Sequence, residues 1–196
     1  MRLDDFTPLT EAEQAVIAGL GTGHVTVLGD GTLPGESAGE DRRVGARLIR
    51  WLALGAPGDE HVQLHEKGMR LKGALVVSDG EVDPFLKEES TPGLDFEGCT
   101  LAHDLALIAC RFPHAPLLRG ASVQSLILND SALPGLSADR LEARGSIFLR
   151  RVDSNGEVRF VASEIGSDLD CRAGHFKHTN GEALNADQLN TRGSLV

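Results

Sequence analysis

Residues 136–148, LSADRLEARGSIF, align without a gap on residues 184–196, LNADQLNTRGSLV, at an offset of 48. Leu136/Leu184, Ala138/Ala186, Asp139/Asp187, Leu141/Leu189, Arg144/Arg192, Gly145/Gly193 and Ser146/Ser194 are identical, and Ile147/Leu195 and Phe148/Val196 are apolar in both. A match that keeps apolar and turn positions together marks an internal repeat.

Inside this long period runs a shorter one of roughly 10 to 11 residues, an apolar i, i+2 pair followed about five residues later by a single apolar residue. It reads Leu94/Phe96 then Leu101; Leu105/Leu107 then Phe112; Leu126/Leu128 then Leu133; Val158/Phe160 then Ile165; Leu169/Cys171 then Phe176. An i, i+2 pair sets both side chains on one face of a short strand, whereas a helix would need i, i+3, i+4. Strands this short cannot bury their own inner face, so each must stack on the next at about 4.8 Å. The pattern predicts a mainly β chain, a parallel β-helix (solenoid) with an inward apolar ladder, right-handed by the general crossover preference. Glu97-Gly98, Asn129-Asp130-Ser131, Arg144-Gly145-Ser146, Asp153-Ser154-Asn155-Gly156 and Thr179-Asn180-Gly181 supply the turns, the last two as projecting loops.

The stretch ahead of the repeats follows other rules. Thr10-Glu11-Ala12-Glu13 is a capping box that should open a helix running to about Leu20, before Gly21 and Gly23. Val25, Val27 and Leu28 predict a short strand. Val44, Leu48, Trp51, Leu52 and Gly55 form one stripe of an amphipathic helix that Ala56-Pro57-Gly58 ends. Such a helix could plug an open strand edge, so residues 1–60 are expected to form a small α-helical N-terminal cap and residues 61–196 the repeats. The first coil is expected at 62–77, interrupted by the acidic insertion DGEVDPFLKEESTPG at 79–93. The second long repeat breaks off at Val196 soon after it begins, which predicts a chain truncated at its C-terminus from a longer natural protein.

Composition narrows the function classes. The chain has 196 residues, 41% hydrophobic, with seven Phe, one Trp and no Tyr, so small aliphatic side chains must fill the core. Three cysteines and a start without a basic-then-apolar leader predict a cytoplasmic protein, and no apolar run is long enough to span a membrane. The formal charge is −10, but residues 135–196 carry nine acids and eight bases, which argues against nucleic acid as a partner.

The segments GLSADRLEARGSIFL, GEVRFVASEIGSDLDCRAGHF and GEALNADQLNTRGSLV resemble uncharacterised bacterial repeat proteins related to the pentapeptide-repeat β-helix family. The resemblance covers residues 94–196 and implies a right-handed β-helix of atypical, loose register. It departs at Ala162-Ser163-Glu164, where a Gly-Ala pair is more usual, and it lacks the strict five-residue register of the gyrase-protecting members. Gyrase binding is therefore not carried over, and the family pattern transfers no catalytic residue, cofactor or metal.

Candidate chemistry is sparse. Cys99, Cys110 and Cys171 read as small buried hydrophobes. His175 and His178 form H-x-x-H, which would need further ligands from a neighbouring loop to hold a metal. His103-Asp104 with His114 on the next unit could stack into a His/Asp cluster, though turns also favour these residues. Asp168 and Asp170 alternate about Leu169 and should face outward together, as paired carboxylates do in sugar-cleaving enzymes. Gly19, Gly21 and Gly23 follow a helix and precede a strand, the reverse of a dinucleotide fingerprint.

The leading reading is a non-enzymatic scaffold that binds a protein partner, or another copy of itself, through a solenoid face or an open C-terminal end. One alternative is a carbohydrate-active β-helix enzyme using outward carboxylates or His103/Asp104, which would need two carboxylates within about 10 Å in a groove. Another is a DNA mimic, which would need a continuous acidic stripe along one face.

Overall fold

The computed structural model describes residues 1–78 and 93–196, so the acidic insertion, Gly93 apart, lies outside the described residues. The described chain is mainly parallel strands in several sheets, with two short α-helices near its start, α1 (Glu11–Gly19) and α2 (Ala46–Ala53). Among the described residues no helix is long and apolar enough to cross a membrane.

α1 opens on the expected capping box. Glu13 N–H donates to Thr10 Oγ1 at 3.1 Å, and Thr10 N–H donates to Glu13 Oε2 at 2.9 Å. The other oxygen, Glu13 Oε1, accepts from Gly45 N–H at 2.9 Å, at the N-cap of α2. One buried carboxylate thus satisfies open backbone donors at the starts of both helices. α2 is shorter than the apolar stripe predicts. Val44 belongs instead to the strand Arg43–Gly45, which pairs with Leu75–Val77, so its backbone is satisfied by a sheet ladder. Gly55, at φ +84°, ends the helix in the left-handed region and is exposed. Between those limits Leu48, Ile49, Trp51 and Leu52 are buried, and the Trp51 ring lies 5.1 Å from that of Phe6.

The strands fall into four parallel stacks. The first holds Thr26–Val27, Met69–Lys72, Leu105–Ile108, Leu126–Ile127, Ile147–Phe148 and Leu169–Asp170. The second runs from Arg43–Gly45 and Leu75–Val77, through bridges made by Arg111, to Ala132–Leu133, Asp153–Ser154 and His175–Phe176. The third contains Leu136–Ser137, Val158–Arg159 and Leu184–Asn185, extended by bridges at Asp95 and Leu117. The fourth contains Ser122–Val123, Glu142–Ala143, Glu164–Ile165 and Asn190–Thr191, with Thr100 bridging onto Ser122. From Leu105 onward the chain visits the four stacks in that order, again and again.

This order explains both sequence periods. Leu136 pairs with Val158 on the next circuit, and Val158 with Leu184 on the one after, so the offset of 48 spans two circuits. The second circuit is the longer because of the loop between His175–Phe176 and Leu184–Asn185, where Thr179, Asn180 and Gly181 are exposed as expected. The stretch at 153–156 does not project. Asp153–Ser154 is a strand, and buried Ser154 turns its hydroxyl inward to donate to the Gly156 carbonyl at 2.9 Å. The shorter period covers two stacks: Leu126 and Leu128 point inward from the first, and Leu133 from the second. Met69, Leu105, Leu126, Ile147 and Leu169 lie in register and are buried, one rung of an apolar ladder.

Among the described residues of the repeats, two of the four corners use left-handed backbone at residues other than glycine. Ala109, Asp130, Arg151 and Ala173 take φ of 47° to 62° between the first and second stacks, and Arg140, Ala162 and Gln188 take 54° to 57° between the third and fourth. There the corner amide reaches the next circuit, as Asp130 N–H does to the Arg150 carbonyl and Ala162 N–H to that of Asp187, both at 2.8 Å. A non-glycine residue in this geometry suffers steric crowding at Cβ. Ala162 is exposed, so Ala162→Gly is expected to raise stability by about 0.5–1 kcal/mol. Ala143→Gly, at a buried strand position nearby, should lower it, and equilibrium urea unfolding of the two variants reads the difference.

Candidate binding face

The residues singled out in the sequence do not converge. His103 and Asp104 sit at the corner leading into Leu105–Ile108, whereas His114 sits at the corner between the second and third stacks, beside Gly93. Their spacing is half a circuit, so the two histidines occupy different corners and form no stacked cluster. Asp104 Oδ2 instead lies 3.4 Å from Arg70 Nη2. His175 is an exposed strand residue opposite Asp153, and the ring of exposed His178 packs against Gly181. Among the described residues no group of three or more His, Cys, Asp or Glu side chains is arranged to hold a metal ion.

Asp168 and Asp170 turn in opposite directions along the stack. Asp168 Oδ1 accepts Ser194 N–H at 2.7 Å from the following circuit. Asp170 reaches the preceding circuit, where Arg150 lies 2.6 Å from its Oδ2, and Arg172 donates to the same oxygen at 2.7 Å. Its side chain is only 5% exposed. These hydrogen bonds, that from Arg172 first, hold the carboxyl well below the usual carboxylate range. Arg150 also lies over the Phe148 ring, 5.0 Å from its centroid. Asp170 is thus a structural clasp between circuits.

The cysteines are free thiols. Cys110 is fully buried, and burial pushes its thiol up to about 12. Burial and then the charge of Asp170 push Cys171 up to about 11. Cys99 is half-buried and its sulfur accepts from Arg50 Nη2 at 3.3 Å.

The most distinctive surface is one that reading along the chain did not find. On the fourth stack Glu142 and Glu164 are register partners, and both are exposed. Adjacent parallel strands place them about 4.8 Å apart at the backbone. Two positions further along the same strands come Arg144, Gly166 and Arg192, again one circuit apart. These residues, with Ser122 and Asn190, line a groove of about 320 Å³. At Gly166 a Cβ would come 2.1 Å from the Arg144 carbonyl oxygen, so no side chain fits between the two arginines. Among the described residues no ion pair or side-chain hydrogen bond engages Glu142, Arg144, Glu164 or Arg192. Elsewhere Glu97–Arg119, Asp130–Arg151 and Asp139–Arg159 close as ion pairs between circuits. The signal that could have revealed this face is the charge pattern read at an offset of one full circuit.

Among the described residues, no stack carries a continuous acidic stripe on its outward row. The fourth has Thr100, Ser122 and Asn190 beside its two glutamates, and the second has Arg111, Ala132, Asp153 and His175. Comparison with models of known families, with curated proteins and with solved structures returns no match to this chain.

The Asp170 clasp makes stability depend on acid. A carboxyl whose folded value is depressed contributes fully above the unfolded value of about 4, and that contribution fades as pH falls towards the folded value. Asp170→Asn is expected to cost roughly 1–2 kcal/mol at neutral pH, and the gap to wild type should narrow below about pH 4 in unfolding curves. At neutral pH, Cys110 should stay silent to a thiol reagent until the chain unfolds.

Proposed function

We propose that the repeats of this chain form a right-handed β-helix related to the pentapeptide-repeat proteins, capped at its N-terminal end by α1 and α2, and that it is a non-enzymatic scaffold. The cyclic visiting of four parallel stacks supports the β-helix reading. Free cysteines, one of them sealed in the core, support a reducing cytoplasmic setting.

The observation that carries the binding reading is the face of Glu142, Arg144, Glu164 and Arg192. Like charges directly opposite one another on neighbouring strands are unfavourable, and among the described residues neither glutamate is paired with a cation. A partner that brings complementary charge removes that cost, which makes the groove a better binding surface than its neighbours.

A hydrolase is the second reading, because stacked carboxylates at this backbone spacing fall near that of retaining glycosidases. Both glutamates are open to water, however, and no apolar wall distinguishes one as acid and the other as base. The purified chain is expected to release no sugar from a panel of oligosaccharides. Turnover that disappears in Glu142→Gln and Glu164→Gln would overturn the scaffold reading. In a binding assay, partners of a scaffold should be retained by wild type and lost when Glu142, Arg144, Glu164 and Arg192 are all changed to Gln.

A further inference from the structure

The charges of this face are arranged so that it complements itself, and we infer that its partner is a second copy of this chain. The inference rests on the face being a binding surface and names what binds there. The outward residues of the fourth stack form two rows along the stacking direction. One row is Thr100, Ser122, Glu142, Glu164, Asn190; the other is Ala102, Gln124, Arg144, Gly166, Arg192. The acids are all in the first row and the bases all in the second.

Only one face-to-face twofold arrangement suits that pattern. A twofold axis parallel to the stacking direction, running over the middle of the face, exchanges the two rows and keeps every residue at its own height. Glu142 then lies opposite Arg144 of the second copy. Glu164 lies opposite Gly166 of the second copy, between the guanidiniums of Arg144 and Arg192 one circuit to either side. Gly166 has no side chain of its own and lines the groove together with both arginines, which leaves room there for the incoming carboxylate. Ser122 meets Gln124 and Asn190 meets Arg192, all polar. A twofold axis across the strands would instead set Glu142 and Glu164 against glutamates of the other copy, which repel. The pattern therefore selects parallel, side-by-side association and forbids the antiparallel one.

The neighbouring corner permits this approach. Between the fourth and first stacks the chain turns mostly through small residues, Ser125, Gly145, Ser146, Ser167, Gly193 and Ser194; of the larger ones, Asp168 is turned onto Ser194 N–H and Asp104 onto Arg70, and His103 stands beside Asp104 on the first circuit. The rows are five circuits tall and two side chains wide, a few hundred Å² per copy, below the roughly 800 Å² per partner of a stable complex. The dimer is accordingly weak and salt-sensitive.

Sedimentation velocity on the wild-type chain, from about 20 µM to about 1 mM, should show a monomer–dimer equilibrium whose Kd rises at least about tenfold between about 50 and about 500 mM NaCl. R144E/R192E and E142R/E164R should each be monomeric, with circular dichroism and melting curves like wild type. Mixed in equal amounts at low salt, the two should associate, because an all-acidic face then meets an all-basic one. That rescue separates a lost interface from a lost fold. Wild type that stays monomeric at about 1 mM and low salt overturns the self-association, and partner retention through the same four residues would still uphold the scaffold reading. Dimers that survive R144E/R192E unchanged overturn it too, by placing the contact elsewhere.

Discussion

A strand of two residues has almost no stability of its own, and here every strand from Ser122 onward has that length. What makes such strands persist is that the backbone is hydrogen-bonded to the circuits on either side. Ala138 N–H reaches Arg159, Phe160 N–H reaches Asn185, and the corner amides of Asp130, Arg140 and Ala162 continue the same ladder around the bends. A bend that dropped out of this ladder would lose a backbone hydrogen bond with a net worth of about 0.5–1.5 kcal/mol. Hence the chain tolerates left-handed backbone at Ala, Asp, Arg and Gln corners.

The same ladder accounts for the buried hydroxyls. Ser131 Oγ accepts Cys110 N–H at 3.0 Å and donates to the Leu107 carbonyl at 3.0 Å. Ser163 Oγ accepts Leu141 N–H at 3.1 Å and donates to Ala138 at 2.7 Å. Each serine lies just after a left-handed corner residue, and its hydroxyl adds to a ladder in which its own carbonyl already accepts from the next circuit, Ser131 from Asp153 N–H and Ser163 from Asn190 N–H. Val152 and Leu141 fill equivalent places in other circuits with apolar groups. Corner interiors therefore accept either a side chain that completes the ladder or one that merely fills space, which is why the repeat looks so imperfect as a sequence.

That imperfection set what could be read in advance. The apolar pairs Leu126/Leu128 and Val158/Phe160 were legible because inward positions alternate strictly with outward ones, and α1 was legible because Thr10 and Glu13 carry its cap within a single turn. The start of α2 was not, since Val44 fits a helical stripe and a strand equally and only the presence of Leu75–Val77 beside it decides. The candidate site failed for a geometric reason. The shorter period was the visible one, so His103 and His114 looked like neighbours, yet that spacing carries the chain only halfway round. Side chains meet at one full circuit, as Glu142 and Glu164 do, and apolar periodicity alone does not distinguish half a circuit from a whole one.

Register then determines what the charges do. Pairing across one circuit joins Asp139 to Arg159, Arg150 to Asp170, Asp130 to Arg151 and Glu97 to Arg119, so that an outward acid usually meets a base on the next coil. On the fourth stack the same step joins glutamate to glutamate, and the arginines that could have relieved the pair stand in the other row with a glycine between them. Exchanging Glu164 for a neutral or basic residue would remove the repulsion without disturbing the buried Ile165 beside it, since the two point to opposite sides of the strand. The core therefore does not demand this glutamate. A pattern that the core does not require and that the isolated surface disfavours is what the proposed contact across this face would explain.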